Sequence, residues 1–270
     1  LEIDMDIETA TFAECVQAAR DAEEARRFDA ALFAWEKIRL RFPAAPAGYS
    51  GAGAALRDLL MQFESLGDSC EFGMVQRRFG AEPIGLLRWT STPLPQLVLA
   101  LDSDFAGVGE AEHTIITVSE QGEYTTMDRR YHMNSHTFTL ATAEPIARFT
   151  AQHLRRMQYL RRKLLDDLAT GDKIFVYKSE RGVSDDEGRE LFAAIRRHGG
   201  HAALLCVRLE TEEHPRGTLT RLEDGLFIGH IDRFSTVDIH VDAWTDLCRQ
   251  TRALASTRTL DPRAFDLLKS

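Results

Sequence analysis

At 270 residues, 44% hydrophobic and 28% charged, the chain has the length of one large domain, or of one domain with a small appendage, and the makeup of a folded globular protein. Its formal net charge of -9 argues against broad nucleic-acid binding, which needs a basic face to displace counterions. No apolar run approaches the roughly 20 residues that cross a bilayer and no segment reads as a signal peptide, so a cytoplasmic protein without a membrane span is expected.

Residues 1–60 read as helical. Ala19, Ala31, Trp35 and Ile38 fall at spacings suited to packed helices, and Pro43 closes the unit. The stretch RRFDAALFAWEKIRLRFPAAPAGYSGAGAALRDLL resembles the second helix of a tetratricopeptide repeat followed by the first helix of the next, with a period of about 34 residues. One unit and a fraction are visible, where a stable array takes about three. Two readings stand: a helical hairpin packed on the main domain, or part of a repeat array that binds a protein partner.

Residues 61–270 read as an α/β domain. MQFESL suits a short strand, SCEFGMVQRRF a helix starting near Ser69, and PLPQLVLALD a helix opened by its prolines. HTIITVSEQGEYTTMD reads as two strands round a Gln-Gly turn, and RYHMNSHTFTL as a third. A long helix is expected from Glu144 to Ala169, with Pro145 near its start and Gly171 past its end. KIFVYKS is a strand. Ser184 to Glu187 form a capping box, opening a helix that runs to His198, and HAALLCVRL is the next strand. That order is a βαβ unit with a parallel pair. LFIGHI is a further strand, and VDAWTDLCRQTRALA a late helix with Asp242 as N-cap. The fold class expected is α/β, a mixed sheet with flanking helices, preceded by the N-terminal helical hairpin.

Cys15, Cys70, Cys206 and Cys248 lie far apart with no C-x-x-C pair, which predicts free thiols in a reducing compartment and no zinc site. Neither a P-loop nor a G-x-G-x-x-G behind a strand is present, and no cofactor is expected. His132 and His136 have a helical metal-ligand spacing, but in a strand residues four apart are separated by about 13 Å. His198 and His201 flank a Gly-Gly pair at a helix end and read as structural. Arg155, Arg156, Arg161, Arg162 and Lys163 spread round one helix as a solvated face, and Trp89 and Trp244 read as core or pocket-wall residues.

The candidate site is FESLGDSCEFG, residues 63–73, where a strand meets a helix at a Gly turn and a hydroxyl stands beside a thiol. At a helix start, free N–H groups and the positive dipole end stabilise a thiolate or a developing oxyanion, and cysteine gains most. Gly67 permits the sharp turn, and Asp68 is placed to cap the helix.

SLGDSCEFG, LLRWTSTPLPQLV, SHTF, the Arg-rich helix and KIFVYKS together resemble the papain-like cysteine peptidases, a bacterial family of unknown function, over roughly residues 63–180. The resemblance implies a cysteine-dependent hydrolase or acyl transferase acting on an amide or ester, with Cys70 as nucleophile and His136 as base. It also implies that Asp68, Ser69, Arg88, Trp89 and Asn134 line the substrate or oxyanion site. Leu87-Arg88-Trp89 stands where the family has Phe-Asp-Trp, so an acidic group expected there is missing. Glu180, Asp232 and Asp238 are the candidates for the group that orients the imidazole.

Two rivals remain. Gly-Asp-Ser before a helix also resembles the first block of the GDSL hydrolases, which would make Ser69 the nucleophile and His240 the base. The Asp238-Ile-His240 spacing is one residue shorter than the Asp-x-x-His of that group. The other rival is a non-catalytic domain whose N-terminal helices bind a protein.

Overall fold

A computed structural model describes residues 10–11, 13–15, 17–18, 21 and 51–256. Most of the helical appendage expected over 1–60, and with it the repeat resemblance, lies outside the described residues. The helix α1 (Gly51–Leu60) packs against a helix near the C-terminal end of the described chain, and Leu60 is fully buried in the main core.

The rest is α/β. In chain order come β1 (Phe63–Ser65), α2 (Glu71–Arg78), β2 (Thr90–Ser91), α3 (Leu94–Asp102), β3 (Thr114–Val118), β4 (Glu123–Asp128) and β5 (Met133–Leu140). Then follow α4 (Ile146–Thr170), β6 (Ile174–Lys178), α5 (Asp185–Arg196), β7 (Ala203–Leu209), β8 (Leu219–Glu223), β9 (Leu226–Ile231) and α6 (Val241–Ser256). One sheet has five strands in the order β1-β6-β7-β9-β8, parallel except for the antiparallel edge strand β8. The second is a four-stranded antiparallel sheet, β2-β5-β4-β3.

The parallel strands are apolar on both faces because helices cover both. Alternate residues go to opposite sides. Phe175, Tyr177, Leu204, Cys206 and Ile228 join a core with α3, α4 and α5, whereas Ile174, Val176, Leu205, Val207 and Phe227 join one with α2 and α6. The expected βαβ unit is β6-α5-β7, and Ser184 and Glu187 form the capping box reciprocally. Gly171, in the left-handed region, ends α4.

Two local expectations are corrected, and strand β8 is an addition to them. The α5 helix stops at Arg196 rather than His198, since His198 turns back so that its Nε2 meets the Leu101 carbonyl at 3.0 Å. The α6 helix begins one residue before Asp242, which stands in its first turn rather than at its cap. Strand β8, alternating and largely exposed, has too little apolar character to read as a strand; pairing with β9 makes it one.

Candidate active site

The Gly-Asp-Ser-Cys turn lies at the carboxyl end of β1, the end of a parallel sheet where α/β folds hold their ligands. Gly67 has φ 88°, and a Cβ there would sit 3.1 Å from the Thr90 carbonyl oxygen, so glycine suits both the backbone and the approach of β2. Asp68 does not cap α2. Its carboxylate accepts from Ser91 on one side and from Ser179 on the other, both at 3.0 Å, tying the turn to β2 and to the end of β6. Cys70 takes the N-cap position, 8% exposed, in the apolar cluster that holds Phe72, Phe138 and Trp244.

Behind the turn lies a charged pair. Glu71, fully buried, stands 2.9 Å from the Nζ of the buried Lys178, and Trp244 donates its indole N–H to the other carboxylate oxygen at 2.9 Å. Burial pushes the Glu71 carboxyl above its ordinary value, and Lys178 opposes that rise. Ser69 Oγ accepts from Lys178 Nζ at 3.1 Å and from the Glu71 N–H at 3.2 Å.

His136 reaches the same region through β2. That strand pairs with β5, and the His136 N–H donates to the Trp89 carbonyl at 3.2 Å. The imidazole stacks on Phe138, 6.0 Å between centroids, and Phe138 belongs to the cluster around Cys70. Here β5 bulges: Thr125 lies opposite His136, but Glu123 lies opposite Leu140. The N–H groups of Thr137 and Phe138, released from the ladder, both donate to Glu123 Oε1 at 2.7 Å. Phe138 takes a φ of 58° to turn that corner. The other Glu123 oxygen lies 3.2 Å from His136 Nδ1. A bulge of this kind re-aims a side chain, and here the carboxylate that repairs the broken ladder also grips the imidazole.

The carboxylate beside His136 is therefore Glu123, and none of the three anticipated acids fills that position. Asp232 binds His240 Nδ1 at 2.8 Å, Asp238 binds Arg233 at 2.6 Å, and Glu180 lines a separate cavity at the ends of β6 and β7. Glu123 escapes sequence reasoning because regular hairpin counting puts Thr125, not Glu123, beside His136. The one usable signal is an acidic residue opening the strand that follows the Gln-Gly turn.

Other anticipated residues scatter. Arg88, 4% exposed, does not contact substrate space: it pairs with Glu82 at 2.5 Å and donates to the carbonyls of Gly73, Ala81 and Pro83. Its cation thus binds carbonyls within α2 and in the loop that follows it. Burial pushes the Glu82 carboxyl up, but Arg77 and Arg88 outweigh it and hold the group below its ordinary value. Arg77 and Arg88 also lie 4.1 and 4.6 Å from the Trp89 ring centroid. Asn134 is exposed, its amide donating to the His132 carbonyl at 3.3 Å. Ser69 and His240 share no hydrogen bond among the described residues.

Trp89 and His136 line a cavity of about 120 Å³ between β2, β5 and α4. Comparisons with protein-family models, with curated proteins and with solved structures return no match. None of the four cysteines, all buried, is in a disulfide among the described residues, and burial pushes the Cys206 thiol up to about 12 and raises the Cys248 thiol as well. No helix among the described residues is long and apolar enough to cross a membrane.

Proposed function

We propose that the chain is a cysteine-dependent hydrolase or acyl transferase acting on an amide or ester, with Cys70 as nucleophile, His136 as base and Glu123 as the positioning residue behind it. The observation that carries this reading is Glu123 Oε2 at 3.2 Å from His136 Nδ1. With its proton on Nδ1, the ring keeps its Nε2 lone pair for the thiol, the tautomer a thiol hydrolase requires.

The chemistry balances without a cofactor. Cys70 Sγ attacks the carbonyl carbon as its proton passes to His136 Nε2. N–H groups at the start of α2 stabilise the oxyanion. The tetrahedral species collapses, the leaving amine or alcohol takes the proton, and water or an acyl acceptor cleaves the thioester. The resemblance to papain-like peptidases supports the same roles for Cys70 and His136, and a cytoplasmic setting suits the free thiols. Ser69 is a weaker nucleophile here, because its oxygen already accepts from Lys178 and from the Glu71 N–H, while His240 is engaged by Asp232.

The test is the pH dependence of iodoacetamide labelling at each cysteine, read by peptide mass spectrometry, in the parent protein and in His136→Ala. Labelling of Cys70 well below pH 8 that disappears without His136 is the expected result. Labelling only as an ordinary or buried thiol, unchanged by His136→Ala, overturns the reading.

A further inference from the structure

The cavity beside His136 has two chemically different walls. On the α4 side stand Gln152, His153 and Arg156, at positions i, i+1 and i+4 of one helix, all with donor capacity. On the β5 side stand Ser135, Thr137 and Thr139. The Thr137 and Thr139 hydroxyl hydrogens are given to the carbonyls of Tyr124 and Thr137, which leaves both oxygens with acceptor capacity, although Thr137 Oγ already accepts from the Thr139 N–H at 3.3 Å.

His153 and Arg156 on the donor wall have no hydrogen-bond or ion-pair partner among the described residues. His153 is 9% exposed and stacks on Phe149, yet neither ring nitrogen makes a hydrogen bond among the described residues. Its ring nitrogens keep a little solvent access, so they open onto the cavity, where water or a ligand can meet them. Arg156, at the mouth, forms no ion pair among the described residues, although Arg148 one face away is paired with Glu144.

We infer that this cavity is a specificity pocket for a compact carboxylate-bearing group, such as the carboxyl end of an N-acyl amino acid or a short peptide. The carboxylate meets Arg156, Gln152 and His153, and the substrate amide N–H meets the threonine oxygens. The inference rests on the catalytic reading, because His136 lines the same cavity and so places the bound amide beside the base. Size agrees: about 120 Å³ is somewhat less than the roughly 150 Å³ that holds a benzene ring, enough for a carboxymethyl or carboxyethyl group. Burial, with the Arg156 charge, holds the His153 imidazole down to about 4, so at neutral pH it offers a neutral N–H and adds no second cation. The charged and titratable groups facing it are Arg156 on its own helix, Glu144 at the helix start and His136 on β5.

The test is binding of N-acetylglycine and of its neutral counterpart N-acetylglycinamide to Cys70→Ala protein, by calorimetry and by the histidine ring proton signals in NMR. The acid is expected to bind at least about tenfold more tightly than the amide, a preference that a charge-assisted pair readily supplies, and to shift the His153 signal. Arg156→Gln should abolish that preference while leaving the fold unchanged, since Arg156 is exposed. Equal binding of both probes, a preference that survives Arg156→Gln, or no binding by the acid each overturns the inference. Because Cys70 is absent from this assay, loss of binding alongside intact Cys70 labelling in the parent protein sinks the pocket alone. Intact binding with an inert Cys70 sinks the catalytic reading instead.

Discussion

Lys178 and Glu71 form an ion pair at 2.9 Å in which both side chains are shut off from solvent, next to the turn that carries Cys70. The lysine comes from the end of β6 and the glutamate from the first turn of α2, so the pair fastens the turn to the parallel sheet. Adjacent bonds repeat the tie, Lys178 to Ser69 and Ser179 to Asp68. Desolvating two charges offsets much of their attraction, so the pair contributes position more than stability.

Removing one partner exposes that balance. Lys178→Met leaves Glu71 buried without its counter-charge, and should destabilise the protein by about 3–5 kcal/mol, whereas Lys178→Met with Glu71→Leu should recover most of the loss. Denaturant midpoints of the single and double variants check this. A single variant as stable as the parent would mean that water reaches Glu71.

Glu123→Gln tests the grip on His136. The amide oxygen can still accept the Thr137 and Phe138 N–H groups, so the bulge should survive. The amide NH₂, however, faces Nδ1 and selects the tautomer with its proton on Nε2, toward the thiol. The rate of Cys70 alkylation at neutral pH should fall by about 10²-fold with the melting temperature nearly unchanged. A Glu123→Gln protein that labels like the parent removes Glu123 from the mechanism.

Two buried groups bend the pH–stability curve in opposite directions. Burial and Arg156 hold His153 down to about 4 against an ordinary 6.5. Between those values the unfolded chain takes up a proton that the folded one does not. Stability is therefore lost as pH falls from 6.5 toward 4, by up to about 3 kcal/mol, and His153→Gln should flatten that acid limb. Burial pushes Glu64 up to about 7 from 4.5 although Lys163 opposes it. The folded carboxyl then keeps a proton that the unfolded one releases, so its contribution is full below 4.5 and lost as pH rises through 7. Glu64→Gln should remove that decline. Thermal melts of both variants from pH 4 to 8 separate the two slopes, and a slope unchanged in either variant refutes its assignment.

Gly73 lies where α2 meets Trp89. An added Cβ would stand 2.9 Å from the Trp89 ring and 3.0 Å from the Arg88 carbonyl oxygen. Helix propensity favours Gly73→Ala, but the overlap with backbone decides the sign, and a loss of about 1–3 kcal/mol is expected. Since Trp89 walls the cavity, binding of N-acetylglycine should weaken too. A more stable Gly73→Ala protein would show that β2 and Trp89 shift freely.

The sequence by itself determined the elements whose signals are local. Proline at a helix start, Ser184 to Glu187 as a capping box and Gly171 past α4 act through neighbouring backbone groups, so they are legible within a few residues. The unbroken apolar runs of β6 and β7 gave the parallel, doubly covered sheet for the same reason. The turn from Gly67 to Cys70 was equally visible, because glycine and a helix start are local facts. What joins that turn to the rest was decided in three dimensions. Glu123 meets His136 through a bulge whose extra residues carry no composition signal, and Lys178 reaches Glu71 across a separation of more than one hundred residues. His153 reads on paper as one polar position in an Arg-rich helix. Only the packing of α4 over β5 buries it, leaves it without a hydrogen-bond partner and turns that helix face into the wall of a cavity.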